Sequence, residues 1–207
     1  TAYEIRNCDW SSDVCSSDLV LVLAGIWLCS LTVADKPGGS DRPGAAAGVW
    51  VVLRQPSVAA FLASCFLLQV AHGPYYTFFS LYLEDHGYQR SVIGELWALG
   101  VLAEVALFLV MHKIMPRFGI RLVILASLLI SALRWLLIGF CVDIVWVLLC
   151  AQLMHAATFG AFHAASIEMI RQSFPENVSG QGQAFYAGIS FGAGGAVGAV
   201  LSGYLWD

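Results

Sequence analysis

The stretch IRLVILASLLISALRWLLIGFC, residues 120–141, decides how the chain is to be read. After Arg121 it carries a single charge, Arg134, in an otherwise apolar run. A helix rises about 1.5 Å per residue, so roughly 20 such residues cross the ~30 Å of hydrocarbon in a bilayer. Comparable stretches lie at about 57–82, 92–111, 144–170 and 183–206, with a shorter one at 19–33. Over all 207 residues, 59% are hydrophobic, 12% are charged and the mean hydropathy is +0.76. Lipid is therefore the solvent, which excludes a soluble enzyme, a nucleic-acid binder and a disulfide-stapled secreted domain. The net charge of -4 says little about partners, because in a membrane protein the placement of Lys and Arg outweighs their sum.

Working outward, residues 1–19 stand apart. They are polar and acidic, repeat Ser-Ser-Asp at 11–13 and 16–18, and pass abruptly into Val20 and Leu21. A signal peptide needs a basic start, and Glu4, Asp9, Asp13 and Asp18 oppose the single Arg6. The string from Asp9 to Leu19 resembles translated sequencing-adapter read-through, so 1–19 is set aside as non-native and the chain is expected to be an open-ended fragment. Cys8 and Cys15 fall in that segment. Cys29, Cys65, Cys141 and Cys150 occur singly along apolar runs without metal-ligand spacing, and are expected to be small buried hydrophobes. Residues 34–56 form a linker, polar and rich in Pro and Gly over 35–44, followed by an amphiphilic piece that ends at Arg54-Gln55-Pro56.

Alternate connections fall into two groups. One holds Lys36, Arg42, Arg54, Lys113, Arg117, Arg121 and Arg171; the other holds only Arg90, beside Glu84, Asp85 and Asp143. Seven basic residues against one place the first group in the cytoplasm. The span 57–82 contains Gly73-Pro74, where Pro lacks a donor and frees a carbonyl one turn back, a break that lipid tolerates only beside protein or a water-filled cavity. The last span carries small-x-x-x-small pairs at Gly188/Gly192 and Gly194/Gly198, which suit either tight packing or sliding helices.

Ionisable residues at bilayer depth are costly, and each is a functional candidate. Glu95 and Glu104 are nine residues apart, about 900° of helix, and so lie on opposite faces. Glu95 is near the outer interface, where a structural role at the helix start is favoured. Glu104 is central among apolar neighbours and is the candidate for taking up and releasing a proton. Arg134 keeps its charge at any relevant pH, so it pairs with Glu104, pairs with a substrate carboxylate, or snorkels outward. His155 and His163 are offset by about 80° and are not the i, i+4 pair of a helical metal site. His155 is a candidate for proton shuttling or substrate bonding, with a buried His bonded to a neighbouring helix as the alternative. His163 and Glu168 lie nearer the cytoplasmic end, where interfacial solvation explains them. His72, Tyr75 and Tyr76 put a polar, aromatic face on one side of the Gly-Pro step, suited to stacking on an aromatic substrate or to aromatic packing.

Several segments carry a resemblance: Gln69 to Phe79 (QVAHGPYYTFF), Tyr82 to Tyr88 (YLEDHGY), Leu96 to Val101 (LWALGV), Ala132 to Leu137 (ALRWLL) and His155 to His163 (HAATFGAFH). In this order they resemble the second half of a bacterial major facilitator transporter of the 3-phenylpropionate permease group, which is similar in turn to the lactose and nucleoside proton symporters. The resemblance covers about 20–207. It implies an all-α membrane fold holding part of transmembrane helix 6 at 20–33, the cytoplasmic loop between halves at 34–56, and helices 7–11 within 57–207, with helices 1–5 and 12 missing. The family's loop motif Gly-x-x-x-Asp-Arg-x-Gly-Arg-Arg survives only as Arg117, Gly119 and Arg121, with Pro116 at the Asp position and His112 at the first Gly, so the role of that Asp does not carry over. In lactose-permease-like symporters an acidic residue in helix 8 and an Arg in helix 9 line the substrate cavity, the places taken here by Glu104 and Arg134.

The function expected is proton-coupled symport of a small aromatic or carboxylated solute across the bacterial inner membrane. Glu104 and His155 are expected to couple protons, Arg134 to recognise an anion, and His72, Tyr75 and Tyr76 to pack on substrate. The expected partners are solute, protons, the lipid bilayer and the N-terminal half of the same transporter; the fragment alone is expected to be inactive, and no metal or cofactor is called for. Two rivals are a membrane sensor or scaffold that binds without moving solute, and an intramembrane metal-dependent enzyme using His155, His163 and Glu168, against which the His spacing argues.

Overall fold

The computed structural model describes residues 45–205, with side chains from Gly48 onward. The segment 1–19, the stretch 19–33 and the linker up to residue 44 lie outside the described residues, as do Trp206 and Asp207. All described elements are helices: α1 (Ala45–Leu53), α2 (Pro56–Asp85), α3 (Arg90–Phe118), α4 (Ile120–Phe140), α5 (Val145–Ser173) and α6 (Glu176–Leu205). The last five are long and apolar enough to cross a membrane. They match the five complete stretches expected from sequence, but all except α4 run past the apolar limits at one end or both, since a helix satisfies its own backbone in lipid and in the interface alike.

The extensions change the picture of the connections. The expected connection holding Lys113, Arg117 and Arg121 is almost wholly helical: α3 runs to Phe118, α4 begins at Ile120, and the reversal falls on Gly119 alone, at φ 77° and ψ 154°. Only glycine adopts that backbone region readily. The linker is also partly helical, because α1 occupies 45–53 and buries Val49 and Val52 in a core shared with Phe174 and Val178.

Pro74 does not break α2, contrary to the expected interruption; it sits inside a continuous helix. Thr77 donates from Oγ1 to the Gly73 carbonyl at 2.8 Å. The carbonyl that Pro74 leaves free, that of Val70, is covered by α6: a Cβ built on Gly198 would stand 2.6 Å from it. Gly194 likewise meets the Phe66 carbonyl, so the 194/198 pair forms the close α2–α6 approach. Gly188 and Gly192 have nothing among the described residues within 4 Å of a built Cβ, so the other small pair takes no part in it. Both α5 and α6 contain a π-helical turn, at Ala156–Ala161 and Gly188–Gly194.

The buried face of α2 reads Val58, Leu62, Cys65, Leu68, His72, Tyr75, Phe79 and Leu83, a stripe at three- and four-residue spacing that turns polar only near its middle. On α4 the stripe is Val123, Ile124, Ser127, Ser131, Arg134 and Ile138. The bundle therefore has two apolar cores. One, around Leu62, Met111, Ile124 and Ile170, lies toward the end bearing Arg54, Lys113, Arg117, Arg121 and Arg171. The other, around Phe79, Leu96, Ile138 and Leu148, lies toward the end bearing Asp143 and the Arg90–Glu84 ion pair. A polar layer separates them. Outward faces remain apolar, with Leu102, Leu109, Leu129 and Leu133 more than half exposed, as lipid-facing surface should be.

Candidate functional site

Each helix of the layer contributes from the middle of its buried stripe. From α2 come His72, Tyr75 and Tyr76; from α3, Trp97 and Glu104; from α4, Ser131, Arg134 and Trp135; from α5, Gln152, His155 and Phe159. All six residues expected from sequence for substrate and proton chemistry, His72, Tyr75, Tyr76, Glu104, Arg134 and His155, come together in this layer. The chain thus concentrates its costly groups where helix–helix contact can satisfy them.

Glu104 pairs with His155, Oε1 to Nε2 at 3.1 Å, with the two side chains 17% and 7% exposed. Gly160 makes room for the glutamate stem: a Cβ there would lie 3.6 Å from Glu104 Cγ. Glu95, on the opposite side of α3, is exposed, in keeping with the angular expectation.

Arg134 is completely buried, so the snorkelling alternative is overturned. Nor does it pair with Glu104, whose partner is His155; among the described residues no carboxylate lies within ion-pair distance of the guanidinium. Its Nε donates to the Ala151 carbonyl at 2.9 Å and one terminal nitrogen donates to Gln152 Oε1 at 3.4 Å. The guanidinium carbon stands 4.2 Å from the Tyr75 ring centroid and 4.6 Å from that of Trp135. Ring faces stabilise a desolvated cation by about 2 kcal/mol or more, but they do not neutralise its charge as a carboxylate partner would.

Gln152 also accepts from the Tyr75 hydroxyl at 2.9 Å, so one amide oxygen fixes both the phenol and the guanidinium. Gln152, Trp97 and Trp135 belong to the layer too, and being uncharged they do not stand out in an apolar run. A neutral Gln in an apolar run three residues before His155 was the available signal. Seven buried polar atoms of this layer make no well-formed hydrogen bond among the described residues: His72 Nε2, Ser131 Oγ, Arg134 Nη1, Trp135 Nε1, Gln152 Nε2, His155 Nδ1 and Glu104 Oε1, the last within ion-pair distance of His155. Such groups are costly without a partner, and most of those here are N–H donors or can become donors, a set suited to an anionic oxygen ligand.

Aromatic rings wall the layer. Tyr75 lies 4.7 Å from Trp97 and 5.1 Å from His155, centroid to centroid, and Tyr76 stacks on Trp97 at 6.3 Å. Tyr76 is 44% exposed, which places it at the open side. Trp97 is held by its Nε1 donating to Ser80 Oγ at 3.0 Å.

Other expected residues lie elsewhere. Arg117 covers the Phe118 ring, Gly119 makes the α3–α4 reversal, and Arg121 lines a groove with Met115, Met169 and Gln172, all at the basic end and away from the polar layer. His163 is not simply solvated at an interface: its Nδ1 lies 3.0 Å from the Tyr186 hydroxyl. Glu168 pairs with Arg171 at 2.5–2.6 Å and accepts from Gln172. Of the cysteines, Cys65 is buried as expected, whereas Cys150 faces outward and Cys141 is half-buried; apolar lipid accommodates a thiol as readily as a core does.

Comparison with known proteins supplies the family. The model of the MFS_1 like family matches residues 2–207. The chain is 33% identical over 174 residues to the "Probable 3-phenylpropionic acid transporter" of Escherichia coli (strain K12), an alignment covering 83% of this chain and 45% of that protein. It is 28% identical over 131 residues to the "Uncharacterized transporter YwbF" of Bacillus subtilis (strain 168), covering 63% of this chain and 33% of the relative. The chain thus spans less than half the length of these relatives. No solved structure matches it. With five membrane-crossing helices and a family match along almost its whole length, this multi-pass membrane chain belongs to the MFS_1 like family of major facilitator transporters, in the phenylpropionate-permease-like group, and not to any enzyme family.

Proposed function

We propose that the chain carries the solute-binding and proton-coupling residues of a symporter in a bacterial inner membrane, working with an N-terminal half to take up small aromatic carboxylates. The observation that carries this reading is Arg134: a permanent cation, fully buried, bonded only to neutral oxygens and ring faces, with Nη1 unsatisfied among the described residues. An anionic ligand completes it. Trp135 Nε1 and Gln152 Nε2 are further donors for the same carboxylate, while Tyr75, Tyr76 and Trp97 offer ring faces to an aromatic body. A phenyl ring joined to a carboxylate, the chemistry named for the E. coli relative, has both features.

Coupling rests on the Glu104–His155 pair. The pair changes charge when a proton binds, and it stands in the same layer as Arg134, so the field at the anion site depends on its protonation. Proton uptake neutralises the carboxylate and makes entry of an anion beside Arg134 more favourable; solute release reverses this. Two halves rocking about a midplane site would expose the layer to each side in turn.

The test is transport of labelled 3-phenylpropionate by the intact transporter in right-side-out membrane vesicles. Glu104→Gln keeps the size of the side chain and removes its titration, so gradient-driven accumulation is expected to fall at least tenfold more than counterflow, which needs no net proton movement. Full accumulation by Glu104→Gln would overturn the coupling assignment. Binding without movement by the unaltered protein would favour the sensor reading.

A further inference from the structure

A second polar group lies on the basic-end side of the main layer and is not used by the mechanism above. His163 Nδ1 meets the Tyr186 hydroxyl at 3.0 Å, joining α5 to α6. Beside them Cys65, Gln69, Phe159 and Ser190 line a cavity of about 10 Å³, room for one water. Ser190 is buried, and its hydroxyl has no well-formed hydrogen bond among the described residues. The rest of its wall is apolar, from Leu68, Phe162 and Phe191.

One ring stands between the two groups. Phe159 is near-parallel to His155, with centroids 5.6 Å apart and planes at 18°, and near-parallel to His163 at 6.4 Å and 11°. It touches Phe191 edge-on at 6.1 Å on one side and Tyr76 at 6.2 Å on the other. His155, Phe159 and His163 are spaced by four, which brings them to one side of α5, and the π-helical turn Ala156–Ala161 falls within the column. Glu104 approaches the same face, its stem against Gly160, which lies between the two histidines. Glu104 lies near enough to both imidazoles for its charge to act on each.

We propose that His163, held by Tyr186 and screened from His155 by the Phe159 ring, is a second proton station, through which the Glu104–His155 pair exchanges its proton with the basic, cytoplasmic side. The proposal rests on the proton-coupled reading above and extends it with a residue and a route. With Nδ1–H donating to the Tyr186 oxygen, His163 Nε2 is the free base. The O–H bond of protonated Glu104 breaks, an N–H bond forms at Nε2, and the carboxylate is left negative and the imidazole positive. The imidazolium then gives a proton to water at the basic end and returns to its neutral form. Titratable groups near His163 are Glu104 from α3, Cys65 from α2 and Tyr186 from α6, with His155 of its own helix beyond the Phe159 ring. The charged residues of α4 are Arg121 at its basic end and Arg134 in the main layer.

The experiment uses the intact transporter in right-side-out vesicles, with labelled 3-phenylpropionate as probe and the pH varied separately inside and outside. His163→Gln keeps a polar side chain and removes the titration. Accumulation should fall at least tenfold more than counterflow, and the response to inside pH should flatten while the response to outside pH stays. Tyr186→Phe, which keeps the ring, should flatten the same inside response with a smaller loss, about threefold. If His163→Gln fails to fold, as loss of counterflow would show, the inside-pH response of Tyr186→Phe decides alone. An unchanged inside response in that variant then overturns the relay. Wild-type accumulation by His163→Gln, or equal loss of both pH responses, overturns it as well. In those cases Glu104→Gln separates the two claims: if it loses accumulation only the relay fails, and if it accumulates fully the coupling reading fails with it.

Discussion

Gln152 shows how one neutral side chain organises a buried cation. Its oxygen accepts from both Tyr75 and Arg134, so Gln152→Leu strands two buried donors. Leaving buried donors unsatisfied costs about 1–3 kcal/mol, and thermal unfolding in detergent should show a loss of that size. Gln152→Glu tests the anion site from the other direction. It puts a carboxylate beside the guanidinium, which should preserve or raise stability while weakening 3-phenylpropionate binding at least tenfold, since the site then holds its own anion. Arg134→Lys should weaken binding too, because the ammonium loses the planar fork while keeping the charge. The residues whose charge is rare in an apolar run, Glu104, Arg134 and His155, were legible in sequence because burial makes each anomalous. Their pairing was not: Glu104 chose His155 over Arg134, and helical periodicity fixes a face without saying which neighbour it meets. Gln152 escaped because a neutral amide raises no such flag.

At the scale of the element, glycine positions carry the informative differences. Gly119 holds the whole α3–α4 reversal at φ 77°, so Gly119→Ala should cost about 1–3 kcal/mol from backbone strain alone, read as a lower unfolding midpoint. Gly198 and Gly192 offer a paired comparison within α6. A Cβ at Gly198 would press on the Val70 carbonyl and on the Gly73 backbone, neither of which can swing aside as a side chain can. Gly198→Ala should therefore destabilise by about 1–3 kcal/mol, toward the upper end, whereas Gly192→Ala, with open space around it, should stay within about 0.5 kcal/mol. The two small-residue pairs look alike in sequence, and only the docking of α6 on α2 tells them apart. Pro74 makes the same point: its missing donor is plain in sequence, but the glycine that covers the freed carbonyl lies far along the chain, so the uninterrupted helix was not legible. Neither were the π-helical turns, which leave no mark in hydrophobic periodicity.

For the molecule as a whole, the arrangement of charge decides how the bundle sits in its membrane. Five spans joined by short reversals bring 54–55, 119 and 174–175 to one end, and 86–89 and 141–144 to the other. Tyr88 fastens the second end by donating from its hydroxyl to the Val142 carbonyl at 2.7 Å. Between the ends, two apolar cores enclose the polar layer, and the half-exposed Tyr76 marks its open side. Because translocating Lys and Arg is disfavoured, the end with Arg54, Lys113, Arg117, Arg121 and Arg171 should face the cytoplasm. Gln172 and Asp143 are both exposed and stand at opposite ends, which makes them a matched pair of reporters. In a cysteine-free background, Gln172→Cys should react with a membrane-impermeant thiol reagent only in inverted vesicles, and Asp143→Cys only in right-side-out ones. Reaction of both from one side would contradict an odd number of spans between them, and exchange of the two patterns would invert the topology and, with it, the side on which His163 delivers its proton.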